Sequence, residues 1–469
     1  MLNRYYEERG KGQRVRGAIL TSITTVGVAV SISTITTMVG FSSFMTSSLV
    51  PFRTLGAFAA LGILFTFVLS LTFLPAILVV RDRRGAKGIK AMVMKRGKRV
   101  DRILAAAAIG AERHGKPIIV AAVVVTVLCA VSAVGIPSTM SVELFLPNHV
   151  ESVATVNEIN EKFGGQSIIF VLAGGDVVSP QGLQEMLALE NSVLHDQSNS
   201  GQSLITGSWS LADAVSLAAG GQIPADANII AAIVQNLDPA VKGRLLRDNQ
   251  AVIYFFVNAK TDKDGEQATK IVRSSVRAHA DGVLNMNIDG EPAVGGEPVI
   301  LSDILGSIAP TLFSSTALTI LLCFVVLVLL FRSLVTGLVA LLPLLLTLGW
   351  EFGTLRLLGW PLDVLTMGIS ALIIGLGVDY SVHVTHRFRE ERARAGPHQA
   401  VRATVMSIGT AMLAAAATTI GVFAVLSLSG MPAMGRFGTL TALVIFYGLV
   451  AALVILPSIL VIRALWKRR

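Results

Sequence analysis

The chain has 469 residues, 53% of them hydrophobic and 15% charged, with a mean hydropathy of +0.68. This balance lies outside that of soluble domains and makes the bilayer the main solvent, while several separate apolar stretches exclude a single-span anchor. The formal charge of +9 is uneven: residues 137 to 305 hold 20 Asp and Glu against 9 Lys and Arg, and the basic excess sits in short connectors beside apolar runs, where the positive-inside rule rather than nucleic-acid binding places it.

The opening Met1 to Arg9 is polar and lacks the apolar core of a signal peptide, so the spans themselves are expected to direct insertion. About eight spans follow, each near the ~20 apolar residues that a crossing helix needs. They are expected at 26–47, 52–80, 117–136, 306–331, 335–357, 362–387, 407–429 and 435–462, the first being marginal because it is rich in Thr and Ser. Cys129 and Cys323 lie inside apolar runs, which points to neither a disulfide nor a metal site.

The connector 81–116 carries ten basic residues between Arg81 and Arg102 and is expected to be cytoplasmic. Alternation then places Arg332, the run Arg387 to Arg402 and the tail after Arg463 inside, and 137–305 outside. Both termini are thus expected in the cytoplasm of a multi-pass protein of the cell membrane. Only the single charges Arg53, Arg356 and Arg436 fall near the outer boundary.

In the outer segment, Gln166 to Ala173 and Ala251 to Ala259 have the pattern of strands, and Ser179 to His195 and Asp264 to Ala280 that of helices. A short strand at Leu284 to Ile288 is expected to complete a strand-helix-strand unit, with the Ala-rich stretch Ser208 to Leu246 as a helical insertion. The expected fold is therefore a polytopic α-helical membrane protein with one α+β extracytoplasmic domain.

The first 80 residues recur near the end of the chain. Leu74-Pro75-Ala76-Ile77-Leu78-Val79-Val80-Arg81 matches Leu456-Pro457-Ser458-Ile459-Leu460-Val461-Ile462-Arg463, and the same offset pairs Gly56 with Gly438 and Thr36-Thr37 with Thr418-Thr419. Arg4 to Arg9 resembles Arg387 to Arg392 with a shift of one residue. The organisation expected is two final spans of a first repeat (1–80), a basic linker (81–116), the first span of a second repeat (117–136), its outer domain (137–305) and a five-helix bundle (306–469). The first copy lacks the outer domain and three spans that precede the second, so a missing first-repeat segment or a partner subunit is expected to complete it.

An ionisable group inside a span costs roughly 2.5 to 3.5 kcal/mol and is a functional candidate by default. Asp379 lies eight residues before Arg387, which is about 12 Å deeper along a helix. Ala371, Gly375, Asp379 and His383 share one stripe, whose small members allow a neighbouring helix to approach. A carboxyl group there can take up and release protons, Tyr380 can donate to it, and Thr418 and Thr419 on the next span offer hydroxyls to a relay. The alternative for Asp379 is a static interhelical hydrogen bond. Glu351 sits near the outer boundary beside Trp350 and five residues before Arg356, where an interfacial or paired role is expected. His383 and His386 have helical spacing compatible with a metal, but no Cys or carboxylate nearby completes a set.

Gly375-Leu376-Gly377-Val378-Asp379-Tyr380-Ser381-Val382-His383, followed by His386-Arg387-Phe388-Arg389-Glu390-Glu391, resembles the tenth-helix signature of the resistance-nodulation-division (RND) superfamily, most nearly its MMPL-type exporters. Phe331-Arg332-Ser333, Gly359-Trp360-Pro361-Leu362-Asp363, Asn3-Arg4-Tyr5-Tyr6-Glu7-Glu8 and both Leu-Pro-x-Ile-Leu endings are similar too. The resemblance implies a porter-like outer domain and an Asp-Tyr proton relay in each half; only the second pair maps here, onto Asp379 and Tyr380. It implies proton-motive-force-driven export of hydrophobic or lipid-like substrates; membrane lipids and a second copy of the chain, as a homo-oligomer, are the further partners considered. A protein-translocation accessory and a non-transporting sterol-sensing or lipid-binding regulator are the alternatives. No cofactor is implied, and no nucleophile-base set or phosphate-binding glycine loop points to an enzyme.

Overall fold

The computed structural model describes residues 2–46, 50–82, 98–137, 139, 146–147, 150–163, 167–199 and 203–466. Residues 83–97 of the basic connector and the tail 467–469 lie outside the described residues. Two compact units divide the chain: Met1–Ser138 with Ile308–Arg469, and Thr139–Ser307.

The first unit opens with α1 (Leu2–Gly10), α2 (Val15–Ser42) and a 3-10 turn (Ser43–Thr46). The expected span 26–47 is thus a helix that starts a full three turns earlier. Ten of the 28 residues of α2 are Thr or Ser, which masks its length in a hydropathy reading. Their hydroxyls are hidden by bonding back to the preceding turn, as in Ser22 Oγ to Ala18 O at 2.7 Å and Ser31 Oγ to Gly27 O at 2.8 Å.

Next come α3 (Val50–Leu71) and α4 (Phe73–Asp82), then α5 (Lys98–Arg113) and α6 (Gly115–Ser132). Helix α5 revises the reading of 81–116 as a plain linker. It is amphipathic, and Leu104, Ala108 and Ala111 are buried on one face at i, i+4 and i+7 spacing.

The second unit holds α7 (Glu151–Phe163), β1 (Ser167–Gly175), α8 (Pro180–Asn199), β2 (Ile205–Trp209), α9 (Leu211–Ala218), α10 (Ala227–Asn236), α11 (Pro239–Leu245), β3 (Leu246–Arg247), β4 (Gln250–Val257), α12 (Asp262–Ala278) and four short strands, β5 (Leu284–Asn285), β6 (Asn287–Ile288), β7 (Glu291–Pro292) and β8 (Val294–Gly296). Strands β1 and β4 pair antiparallel from Ser167↔Val257 to Ala173↔Ala251, in a sheet ordered β2-β4-β1-β5. Alternation sends Ile169, Val171, Ala173, Ile253 and Phe255 to one face, where Leu183, Met186, Leu189 and Val193 of α8 and Ala268, Val272 and Val276 of α12 cover them. Each such fully buried aliphatic or aromatic side chain contributes on the order of 1.5 to 3 kcal/mol. Ser210 and Thr261 start α9 and α12 with capping boxes to Asp213 and Asp264.

Two readings of this unit are corrected. The single strand expected at Leu284 to Ile288 is split: β5 pairs antiparallel with the end of β1, while β6 pairs with β7 across a turn at Asp289 and Gly290, both at positive φ. The stretch from Ser208 is not wholly helical, because Ile205–Trp209 is a strand on β4.

The chain closes with α13 (Glu297–Phe331), α14 (Leu334–Leu357), α15 (Val364–Arg392), α16 (Pro397–Leu426), α17 (Pro432–Val450), a π-helical stretch (Ala451–Ile455) and α18 (Leu456–Trp466). Helix α15 begins at a capping box in which Asp363 Oδ1 accepts from Thr366 N at 2.7 Å. Among the described residues seven helices are long and apolar enough to cross a membrane, namely Arg53–Asp82, Gly115–Ser132, Phe313–Phe331, Leu334–Leu357, Gly368–Arg392, Pro397–Leu426 and Pro432–Trp466. Of the eight expected spans, the Thr-rich α2 is the one not among these seven.

The internal repeat has a structural counterpart. A Cβ on Gly56 would stand 2.5 Å from Phe41 O, and one on Gly438 would stand 2.6 Å from Phe423 O. Both pairs are 382 residues apart in the chain. The same backbone crossing is therefore built twice, in a solvent where helices associate through close packing rather than through a hydrophobic driving force.

Candidate functional site

Asp379 sits near the middle of α15, and α2 crosses beside it. Two glycines set that approach: a Cβ on Gly40 would lie 3.2 Å from Gly375 Cα, and one on Gly375 would lie 3.3 Å from Thr37 Cγ2. The close crossing brings Thr37 Oγ1 to 2.9 Å from Gly375 O and 3.5 Å from Asp379 Oδ1. Ser33, one turn earlier on α2, stands close to the same carboxyl group. Among the described residues no Lys or Arg forms an ion pair with Asp379.

This is a setting for a proton rather than for a fixed charge. A hydroxyl donates to a carboxylate and accepts from a carboxylic acid, so Ser33 and Thr37 can serve both forms. The single hydrogen of Thr37 has two carbonyl acceptors at 2.9 Å, Ser33 O and Gly375 O, so at 3.5 Å its oxygen is best placed to accept from the protonated carboxyl group. A cation would instead hold the group ionised. Asp379 is partly buried.

Further along α2, Ser43 and Thr319 of α13 share a buried hydroxyl-hydroxyl contact, and Thr319 Oγ1 donates to Ser315 O at 2.7 Å. Cys323 Sγ lies 3.9 Å from Thr36 O on the same interface.

The other residues singled out in the sequence divide into those gathered at this site and those held elsewhere. Gly375 belongs to it. Tyr380 does not face α2; 100° further round the helix, its ring lies against α17, where a Cβ on Gly448 would be 4.0 Å from Tyr380 Cδ2, and it joins the cluster of Val384, Ile445 and Leu449. His383 is half-buried on α15, and among the described residues no group of three or more His, Cys, Asp or Glu stands together. Thr418 and Thr419 do not reach Asp379. Both hydroxyls donate to Ala415 O on their own helix, at 2.8 and 3.0 Å, and Thr418 is exposed.

Three side chains are placed otherwise than the sequence reading expected. Ser33 and Thr37 take the place expected of Thr418 and Thr419, and the signal was present: Thr36-Thr37 is the repeat-mate of that pair. The third is Glu351. Far from being interfacial or paired with Arg356, it is 0% exposed, and both its oxygens accept from Ser370 Oγ of α15 at 3.1 Å. Glu351 thus joins α14 to α15 through Ser370.

The second unit has a buried acid of its own. Glu190 of α8 accepts from Ser208 Oγ at 2.7 Å, and burial, with Asp213 close by, pushes its carboxyl group up to about 7.

The MMPL family model matches residues 1–109 and 149–469. The chain is similar to the membrane protein MJ1562 of Methanocaldococcus jannaschii, 29% identical over 72% of this chain and 88% of that protein. It is also similar to the apo-petrobactin exporter of Bacillus anthracis, 28% identical over 46% of this chain and 28% of that protein. In fold it is similar to the hedgehog release protein Disp of the water bear Hypsibius dujardini, with a TM-score of 0.67 at 16% identity, covering 96% of this chain and 59% of that one. It thus spans most of the archaeal relative and a smaller share of the other two. With the family match extending across both units, the chain belongs to the MMPL family of RND-superfamily membrane transporters.

Proposed function

We propose that the chain forms the second-repeat half, and the end of the first, of a proton-driven exporter of hydrophobic or lipid-like substrates, with Asp379 as its proton carrier. The observation that carries this reading is the setting of Asp379: a partly accessible carboxyl group, deep in a span, faced by Ser33 and Thr37 from the other repeat and by no cation. Proton uptake there changes the hydrogen bonds across α2 and α15, the one crossing where the repeats share a titratable group. Export of a hydrophobic substrate fits an apolar bundle joined to an outer domain, and a relative named as an exporter supports it. In this reading the protein lies in the cell membrane, with residues 137–305 outside and both termini in the cytoplasm.

The face of α16 equivalent to the carboxylate-facing side of α2 points to an incomplete pathway. Val422 and Val425, the repeat-mates of Gly40 and Ser43, are 66% and 71% exposed. A helix of a further segment or of a partner subunit, bearing its own carboxyl group, fits that face.

The test is Asp379→Asn in the complete transporter reconstituted in vesicles. Asn keeps the shape and much of the hydrogen bonding but cannot exchange a proton. Substrate export driven by an imposed pH gradient is expected to be lost while thermal stability and membrane insertion persist. Unchanged gradient-driven export would make Asp379 a packing contact only. For the topology, a Cys at Gln222 is expected to react with an impermeant thiol reagent in intact cells; reaction only after permeabilisation would invert the orientation.

A further inference from the structure

Arg356 breaks two regularities at once. It is a cation near the boundary where the positive-inside rule disfavours one, and among the described residues it has no acidic partner. Arg436, near the same boundary, has the charge of Asp363 beside it. Arg356 instead stands at the mouth of a groove of about 910 Å³ between α6, α14, α17 and the π-helical stretch.

The groove runs along α6 from Ile118 to Ser132, about 21 Å at 1.5 Å per residue. Its walls are aliphatic on the side away from Arg356, with Val125, Val450, Val454 and Ile455. The polar atoms midway have spent their hydrogens within the wall. Trp350 Nε1 donates to Thr126 Oγ1 at 2.9 Å, and Thr126 Oγ1 to Ala122 O at 2.8 Å. Thr354 Oγ1 donates to Trp350 O at 2.7 Å, so in the 3.1 Å contact between Tyr447 and Thr354 the phenol is the donor. Ser132 Oγ donates to Cys129 O at 2.8 Å. The guanidinium of Arg356 is therefore the uncommitted donor of this site, and it carries a full charge.

An apolar trough about 21 Å long, with a free cation at its polar end, complements an amphiphile with an acidic head group. We propose that this groove binds an acidic membrane lipid, with an acyl chain along α6 over Trp350 and the head-group phosphate at Arg356. Each buried methylene contributes roughly 0.8 kcal/mol whatever the head group, so the chain supplies affinity and Arg356 supplies the choice of head group. The site stands apart from Asp379, and its occupation does not depend on export.

Trp350 is the built-in reporter. The full chain, with Trp209, Trp360 and Trp466 replaced by Phe, is placed in nanodiscs containing phosphatidylglycerol or phosphatidylcholine brominated on the acyl chain, each at the same mole fraction in an otherwise identical bilayer. Brominated phosphatidylglycerol is expected to quench Trp350 at a mole fraction about fivefold lower, which is what one membrane-surface Arg contributes. Arg356→Gln is expected to erase the difference, and Arg53→Gln to leave it intact. To guard against misfolding of the triple variant, the same comparison is made on the unaltered chain by quantifying the lipids that copurify from mixed membranes, with acidic lipid enriched in the parent and not in Arg356→Gln. Equal quenching and equal retention of the two lipids would overturn the proposal, as would an acidic preference that survives Arg356→Gln.

Discussion

Helices α2 and α16 are copies of one sequence element in two different surroundings. The register that pairs Thr37 with Thr419 also pairs the crossings at Gly56 and Gly438, so the local architecture of the two copies is the same. Their outward faces differ. Thr37 bonds across to Gly375 O and stands 3.5 Å from Asp379, whereas Thr419 bonds back to Ala415 O and, among the described residues, Val422 is left 66% exposed. The lesson is that a repeat preserves how a helix pair packs on itself, while the chemistry of a site comes from whichever helix is laid against the pair.

The largest expected effect tests the shared part. Gly438→Val should prevent the α16–α17 crossing, at a cost of about 3 kcal/mol or more, because a side chain would meet backbone at Phe423 and Ser427 with no flexible neighbour to yield. Gly56→Val should do the same in the first copy, and Gly421→Ala, where open space surrounds the Cβ, should not. Thermal unfolding of the purified chain reads all three. Tolerance of one copy but not of the other would break the structural equivalence of the repeats.

The contrast between the copies is sharpened by replacing each threonine with its isostere. Thr37→Val removes the hydroxyl that bonds across to Gly375 O and stands 3.5 Å from Asp379, and should cost about 0.6 to 1.7 kcal/mol, with a matching fall in gradient-driven transport, since Asp379 loses a hydroxyl neighbour. Thr419→Val removes only a bond to its own helix and should stay within about 0.5 kcal/mol. Equal losses for the two variants, measured side by side in vesicles and by thermal unfolding, would show that α16 reaches a carboxyl group as α2 does.

The smallest effect concerns Tyr380. Tyr380→Phe keeps the ring against Gly448 and deletes a hydroxyl that does not face α2, so stability should change by less than about 0.5 kcal/mol and export should fall much less than in Asp379→Asn. A loss of export equal to that of Asp379→Asn, at unchanged stability, would place the Tyr380 hydroxyl in the proton path and extend the site from α2 toward α17.

Asp379 was legible because one carboxyl group in an otherwise apolar run is costly and stands out against its neighbours. The repeat was legible too, and with it the pair of threonine motifs. The choice between them was not, since Thr36-Thr37 and Thr418-Thr419 are the same local signal and only tertiary packing determines which one meets a carboxylate. Glu351 was misread for a related reason: proximity to Trp350 and Arg356 along the chain suggested an interface, but α14 turns that side chain toward Ser370, nineteen residues on. The start of α2 was missed because back-bonded hydroxyls count as polar in a sequence and as satisfied in a helix.

By itself the sequence determined that the chain is a membrane protein with an acidic segment between its spans, that its helices repeat in register, and that one span carries an exceptional carboxyl group; these follow from composition and period, which every residue reports locally. The tertiary structure alone decided that Ser33 and Thr37 surround that group, that Glu351 is sealed, and that Arg356 guards an apolar groove. Those are facts about which faces meet, and in a bilayer, where all faces are similarly apolar, small differences in shape and a few hydrogen bonds choose among them.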